Sequence, residues 1–423
     1  MAMDQAHVNR LIQQEAPAAW RCLSPLGREA VFPRGILAQT AEASHCALKA
    51  TIGQITDGAG EPLPLPAMAN AIPGLDPRVA FLYSPQEGWP ELRQAWSKRQ
   101  HSLSLGSQAP VSLPMVVHGL THGLGLIADL FADEDTEILI PSPFWGNYRL
   151  VFTLRNRARV RLFPFFSADG FNVQGLADAL EKVRGKKAVL ILNIPGNPTG
   201  YTPKAAIADV ITRIVTEHDG PLVAVVDDAY QGMLWEDGLL RRSLYWDIAA
   251  AADPDKLHVV KLDGATKEFF FFPSRVGFYT HSAAGEVQAA FDSKLKCLGR
   301  STVGSPPGPS QALLLHVLSQ DYQPQLDQNL QILRSRYRTL KDELKRLDNP
   351  WVYPYPFNSG MFALIGLDPS VSPEHVRHTL IEEHSAGVIS IPEINGIRLS
   401  YGAIDSSDLP KLIHAIDVAV RPH

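Results

Sequence analysis

The feature that most constrains this chain is a series of short apolar runs, separated by helical patterns, through its middle. Strand-like runs fall at Met115–His118, Glu137–Ile140, Arg159–Phe163, Ala188–Asn193, Leu222–Asp227, Leu257–Leu262 and Val276–Tyr279. Amphipathic stretches such as Leu176–Val183 and Ala205–Glu217 lie between several of them. Near-continuous apolar strands alternating with helices form a mostly parallel sheet covered on both faces. The pattern predicts an α/β fold, and in such sheets ligands bind outside the carboxyl ends of the strands. Four of these ends carry polar residues.

At roughly 100–200 residues per domain, 423 residues make two or three domains. A helical pattern runs from Gln311 to about Leu347, with an expected break near Pro324. Its second piece is long enough to bridge two domains. The remainder, Trp351–His423, reads as a small α+β domain, with strands at Met361–Ile365 and Gly396–Ser400 and helices near Pro373–Glu383 and Asp408–Val418. The expected division is an N-terminal segment, 1–60, joined in space to a C-terminal small domain, 326–423, with a large domain, 61–325, between them.

Charge narrows the function. Lys and Arg total 39 against 44 Asp and Glu, a net charge of −5, which argues against a general nucleic-acid or anionic-membrane binder. Three scattered cysteines, Cys22, Cys46 and Cys297, form neither a disulfide framework nor a CxxC metal site and fit a reducing compartment. No apolar run approaches the roughly 18 residues of a membrane span. The N-terminus lacks the basic-then-apolar order of a secretory signal. A cytoplasmic location, with no membrane partner and no metal, is the expectation.

The strand ends supply the candidate chemistry. Lys261 to Lys267 closes one strand and enters a Phe-rich stretch, Phe269–Phe272. A lysine beside apolar surface is a candidate Schiff-base former, because desolvation favours the neutral amine. Position alone leaves Lys256 and Lys261 open as well, and an ordinary solvated lysine is the plain alternative. Asp227, in Asp227-Asp228-Ala229-Tyr230, ends a buried strand and needs a cationic partner there. Either aspartate could instead cap the next helix. Asn193-Ile194-Pro195-Gly196-Asn197-Pro198-Thr199-Gly200 is a rigid turn that aims Asn197 at the sheet edge. His118-Gly119-Leu120-Thr121 joins a strand to a helix, where free N–H groups bind phosphate. No Gly-Lys-Ser/Thr follows, so it is not a P-loop.

Together these residues resemble the class I aminotransferases, pyridoxal-phosphate enzymes of fold type I, and most of all the aspartate and aromatic subgroup. The resemblance runs from about Ile52 to Ala403. It implies a seven-stranded, mostly parallel large domain with a small α+β domain. It selects Lys267 as the Schiff-base lysine, eight residues before Arg275, the phosphate-binding arginine. It selects Asp227 over Asp228 as the partner of the protonated ring nitrogen. Tyr230 and Asn197 would then bond the ring oxygen, and Trp145 of Trp145-Gly146-Asn147 would stack on the ring. Gly119, Leu120 and Thr121 would form the phosphate turn. Tyr83 would reach the phosphate of a neighbouring subunit, which implies a homodimer with shared sites. Arg398 would clamp the substrate α-carboxylate, and Arg300, placed by its distance from Ser305-Pro306-Pro307, a dicarboxylate side chain from the other subunit. Gly53 would lie near the substrate.

The chain departs from the pattern in three places. Gly264 stands where relatives carry a phosphate-bonding serine, for which Thr266 is a possible substitute. Val303 replaces a common tyrosine, and four consecutive phenylalanines precede Arg275. The expected activity is ping-pong transfer of an amino group from an amino acid, aspartate, glutamate or aromatic, to a 2-oxo acid. The rivals are a pyridoxal-phosphate C–S lyase, decarboxylase or cyclopropane-type synthase on the same fold, and a cofactor-sensing transcription regulator. The last needs a DNA-binding domain for which the matched region leaves no room.

Overall fold

A computed structural model describes residues 5–31, 35–168 and 170–421. Seven strands form the main sheet: β1 (Met115–His118), β2 (Glu137–Ser142), β3 (Arg159–Pro164), β4 (Ala188–Asn193), β5 (Leu222–Asp227), β6 (Leu257–Gly264) and β7 (Val276–His281). They lie in the order β1-β7-β6-β5-β4-β2-β3. Only β7 runs antiparallel to its neighbours. All seven expected strands are present, and the α/β class holds.

The central strands are apolar throughout because both faces are covered. Side chains alternate across a strand, so Leu190 and Leu192 of β4 join one core cluster and Val189 and Ile191 the other. Val226 of β5 likewise faces away from Val225. The register sets Asn193, Asp227 and Leu262 side by side at the carboxyl edge.

Four helices frame the carboxyl edge and the C-terminal part: α1 (Pro90–Leu103), α2 (Gly119–Phe131), α3 (Gly285–Thr302) and α4 (Gln323–Arg346). The helical pattern after Gly308 is two helices, Gly308–Leu318 and α4. Pro324 sits in the first turn of α4, where its missing N–H costs nothing. The proline therefore starts the second helix rather than breaking a single one. Leu333, Tyr337 and Leu340 of α4 are buried in a third core cluster, together with Met361 and Phe362.

The C-terminal part builds a four-stranded antiparallel sheet from β8 (Val352–Pro354), β9 (Phe362–Leu367), β10 (Ile389–Ile391) and β11 (Gly396–Ser400). Near the N-terminus, Leu48–Lys49 pairs in parallel with Ala386–Gly387. The chain then passes through Thr51, buried at 3% exposure, towards the edge of the main sheet.

Candidate active site

The carboxyl ends of β4, β5 and β6 open into a cavity of about 910 Å³. Asp227 closes its floor. The side chain is 2% exposed. Its Oδ2 accepts a hydrogen bond from the Tyr148 hydroxyl at 2.5 Å, and its Oδ1 accepts one from the Ala229 N–H at 3.1 Å. Both donors are neutral, and burial pushes the Asp227 carboxyl up to about 6. A carboxylate so placed is suited to a cationic partner delivered by a ligand. The next residue, Asp228, points the other way and pairs with Lys261 at 2.9 Å. Neither aspartate caps a helix.

Lys267 lies just beyond β6, in the single helical turn Ala265–Glu268. Its Nζ donates to the Gly53 carbonyl at 2.5 Å and stands 4.7 Å from the centre of the Phe272 ring. Desolvation, reinforced by Arg275 and Arg398, lowers the amine to about 7. A large share of it is therefore uncharged near neutral pH, as a nucleophilic or basic amine must be. The two other candidate lysines lie outside the cavity. Lys256 is exposed. Lys261 is not the solvated residue that a lone lysine suggests, because its strand position buries it against Asp228 and Asp263.

Arg275 packs against the backbone at Gly119. Arg275 Nη2 donates to the His118 carbonyl at 3.4 Å. Gly119 has φ +69°, and a Cβ there would come within 2.5 Å of Arg275 Nη2. Only glycine lets the backbone approach the guanidinium so closely. Gly119 begins α2, and the first N–H groups of a helix are free to meet an anion. Leu120 and Thr121 line the cavity beside it.

Arg398, on β11, is 1% exposed. Its Nη1 donates to Asn197 Oδ1 at 3.1 Å and its Nη2 to the Thr51 carbonyl at 2.5 Å. Its Nε–H is buried without a partner among the described residues. Burial lowers the group to about 10. A buried guanidinium with a spare donor and no carboxylate beside it suits an incoming anion. Asn197 also approaches the Tyr230 hydroxyl, at 3.4 Å. Tyr230 is buried, which raises its pKa. Asn193 locks the turn, bonding the Asp227 carbonyl and the Asn197 N–H, each at 2.8 Å.

The structure thus brings Gly53, Leu120, Thr121, Trp145, Asn197, Asp227, Tyr230, Lys267, Arg275 and Arg398 to one cavity, with Gly119 directly behind it. Two predicted residues stand outside it in the single chain. Tyr83 is 94% exposed, and Arg300 is exposed in the last turn of α3. Sequence reasoning missed Tyr148. It lies three residues after Trp145 and packs edge-on against it at 5.5 Å. Its place in a short helix beside a strand end was the available signal.

The Gly264 departure has a steric cause. Gly264 pairs with Gly277 across β6 and β7. A Cβ on Gly264 would meet Gly277 Cα at 2.7 Å and the Val276 carbonyl at 2.8 Å. Serine does not fit without parting two strands, while Thr266 does line the cavity. Gly264→Ser is expected to destabilise the protein by about 1–3 kcal/mol, as overpacking does. Urea unfolding checks this, and a variant as stable as the parent would contradict the steric account.

A family model, "Aminotransferase class I and II", matches residues 48–416. Aspartate aminotransferase 1 of Medicago sativa is 26% identical over 292 residues, 67% of this chain and 66% of that one; the chain thus spans about two thirds of that relative. The cytoplasmic aspartate aminotransferase of Caenorhabditis elegans is 24% identical over 389 residues, 88% of this chain and 90% of that one. Among solved structures, aspartate aminotransferase from Thermus thermophilus with maleate superposes with a TM-score of 0.77 at 19% identity, covering 94% of this chain and 99% of that one.

Proposed function

The chain belongs to the class I and II aminotransferases, and from that premise we propose that it moves an amino group between an amino acid and a 2-oxo acid, with pyridoxal 5′-phosphate as cofactor. Enzymes of class I depend on that cofactor. The observation that carries the reading is the convergence of the Lys267 amine, the Asp227 carboxyl, Arg275 and Arg398 on one cavity. The donor set fits the cofactor's chemistry: a carboxylate without a cation, an amine of lowered basicity, and a guanidinium against a glycine.

When bound, the cofactor supplies an electron sink for the pair released at the substrate's Cα. The chain's residues do the rest. Asp227, held by Tyr148, would keep a proton on the ring nitrogen. Asn197 and Tyr230 would bond the ring oxygen, and Trp145 would lie against the ring. Arg275, Gly119, Leu120 and Thr121 would hold the phosphate with the N-terminus of α2. Arg398 orients the substrate α-carboxylate through its planar fork. Lys267 Nζ would take the proton from the substrate's Cα as a base and pass it, as an acid, to the cofactor's C4′ carbon.

Arg300 and Tyr83 act in this reading from the second subunit of a homodimer. Phe81, Leu82 and Tyr83 form an exposed run, at 85%, 66% and 94% exposure, of the kind a partner covers. Arg300 would bind a dicarboxylate side chain, in keeping with the aspartate aminotransferases among the relatives. The C. elegans relative is named as cytoplasmic, which supports the same location here. Among the described residues no helix is long and apolar enough to cross a membrane.

The test is an absorbance screen of the cofactor-loaded protein against aspartate, glutamate, phenylalanine and alanine. Conversion of the cofactor band by aspartate or glutamate, weakened about 30-fold or more in Arg300→Ala as an unpaired buried carboxylate requires, supports the dicarboxylate reading. Conversion by phenylalanine alone removes Arg300 from the substrate site. Release of ammonia or carbon dioxide in place of a 2-oxo acid replaces transamination by lyase or decarboxylase chemistry.

A further inference from the structure

Behind the cavity lies a second set of charges that the proposed chemistry does not use. Lys261 Nζ pairs with Asp228 at 2.9 Å and more tightly with Asp263, and donates to Gln231 Oε1 at 3.2 Å. Asp263 also accepts from Trp96 Nε1 at 2.9 Å and from Gln100 Nε2 at 3.1 Å. Glu268 Oε2 pairs with Arg99 Nη2 at 2.7 Å, and its Oε1 accepts from the Gly264 N–H at 3.4 Å. Arg99 is fixed over Trp96 and Phe269, with Cζ 4.8 and 5.1 Å from the ring centres. Asp228, Lys261, Asp263 and Glu268 are all at most 3% exposed.

Each carboxylate is the chain neighbour of a residue that shapes the site. Asp228 follows Asp227, Asp263 precedes Gly264 and Glu268 follows Lys267. Charges buried this deeply are a poor source of stability, since well-packed apolar residues of similar volume usually do as well or better. Their geometry, however, fixes two pieces of backbone against each other. One is the end of β5, which carries Asp227. The other is the turn after β6, which carries Lys267, and which Glu268 closes on Gly264 while α1 holds Glu268 through Arg99.

We propose that Glu268 and Arg99, backed by the Asp263–Lys261–Asp228 chain, are positioning residues that fix Lys267 relative to Asp227. The proposal rests on Lys267 and Asp227 being the cofactor's partners. An amine displaced by about 1 Å loses on the order of 100-fold in rate, so rigid support from outside the cavity has a direct kinetic value.

The experiment compares the parent with Glu268→Gln and with the double variant Arg99→Met/Glu268→Leu, all loaded with pyridoxal 5′-phosphate. The double variant removes both charges, so no cation is left buried and unpaired, and it is expected to unfold at or above the parent's temperature. The pH midpoint of its cofactor absorbance band is expected to move by about one unit, as a changed lysine environment requires. Band conversion at saturating amino acid is expected to slow about 10- to 100-fold, with half-saturation changed less than about threefold. A folded double variant with the parent's midpoint and conversion rate overturns the proposal. So does a double variant that fails to fold while Glu268→Gln folds with the parent's midpoint and rate, for that is the signature of a purely structural cluster. A parent that forms no band on adding pyridoxal 5′-phosphate overturns the reading of Lys267 as well, which separates the two failures.

Discussion

Replacing Lys267 by alanine is expected to abolish amino transfer, with turnover lowered by at least about 10⁴-fold, the upper range for loss of a general acid–base. The expectation follows from the isolation of this amine. Lys267 is the only lysine among the described residues that line the cavity, and Lys261 behind it is committed to Asp228 and Asp263. No second amine there stands in for the lost one. The variant should also fail to develop the visible band that the parent forms with pyridoxal 5′-phosphate, and should unfold at a similar temperature. The pH profile of the parent carries the same signature. Because Lys267 is lowered to about 7, its neutral form gains population as pH rises through that value. The rate at which the cofactor-free protein develops the band on adding pyridoxal 5′-phosphate should therefore fall on acidification below about 7 and level off above it. Sustained transamination by Lys267→Ala would remove this residue from its role.

Arg398→Ala should be nearly as damaging, and in a different parameter. Removing one partner of a buried, hydrogen-bonded charge pair costs about 2–5 kcal/mol, roughly 30- to 5,000-fold in kcat/KM. The loss should fall on every amino acid alike, because the α-carboxylate is common to all of them. Arg398→Lys should restore little, since an ammonium cannot reproduce the planar fork. Steady-state kinetics with one dicarboxylic and one apolar amino acid check this. A loss confined to one of the two would place Arg398 at a side-chain pocket instead.

Much of this architecture is legible in the sequence for plain physical reasons. Strands covered on both faces read as apolar runs, and β4 and β5 are the clearest cases. Polar residues at the ends of such strands stand out, so Asp227 and Asn197 are visible at once. What one strand end does to another is not. Choosing Lys267 over Lys261 needed a resemblance to known enzymes. The physical reason for the choice, ion pairing of Lys261 across β5 and β6, depends on register. Tyr148 escaped notice because a tyrosine near a tryptophan reads as packing until its hydroxyl is found on Asp227. The Arg99–Glu268 pair escaped because charges spaced along helices ordinarily face water. The steric meaning of Gly264 required Gly277 opposite it.

The stretch from Thr51 to Gly53 bears on how the cavity is entered. Arg398 donates to the Thr51 carbonyl and Lys267 to the Gly53 carbonyl, so two main-chain oxygens, two residues apart, hold two of the basic side chains that the proposed chemistry uses. The same stretch comes just after the short parallel pairing with Ala386–Gly387. In the proposed chemistry it would serve as a latch with two hooks. A carboxylate arriving at Arg398 competes with one hook, and a lysine leaving its resting place lets go of the other. The two events draw on a single piece of chain, and a shift of Thr51–Gly53 would release both side chains in the same movement.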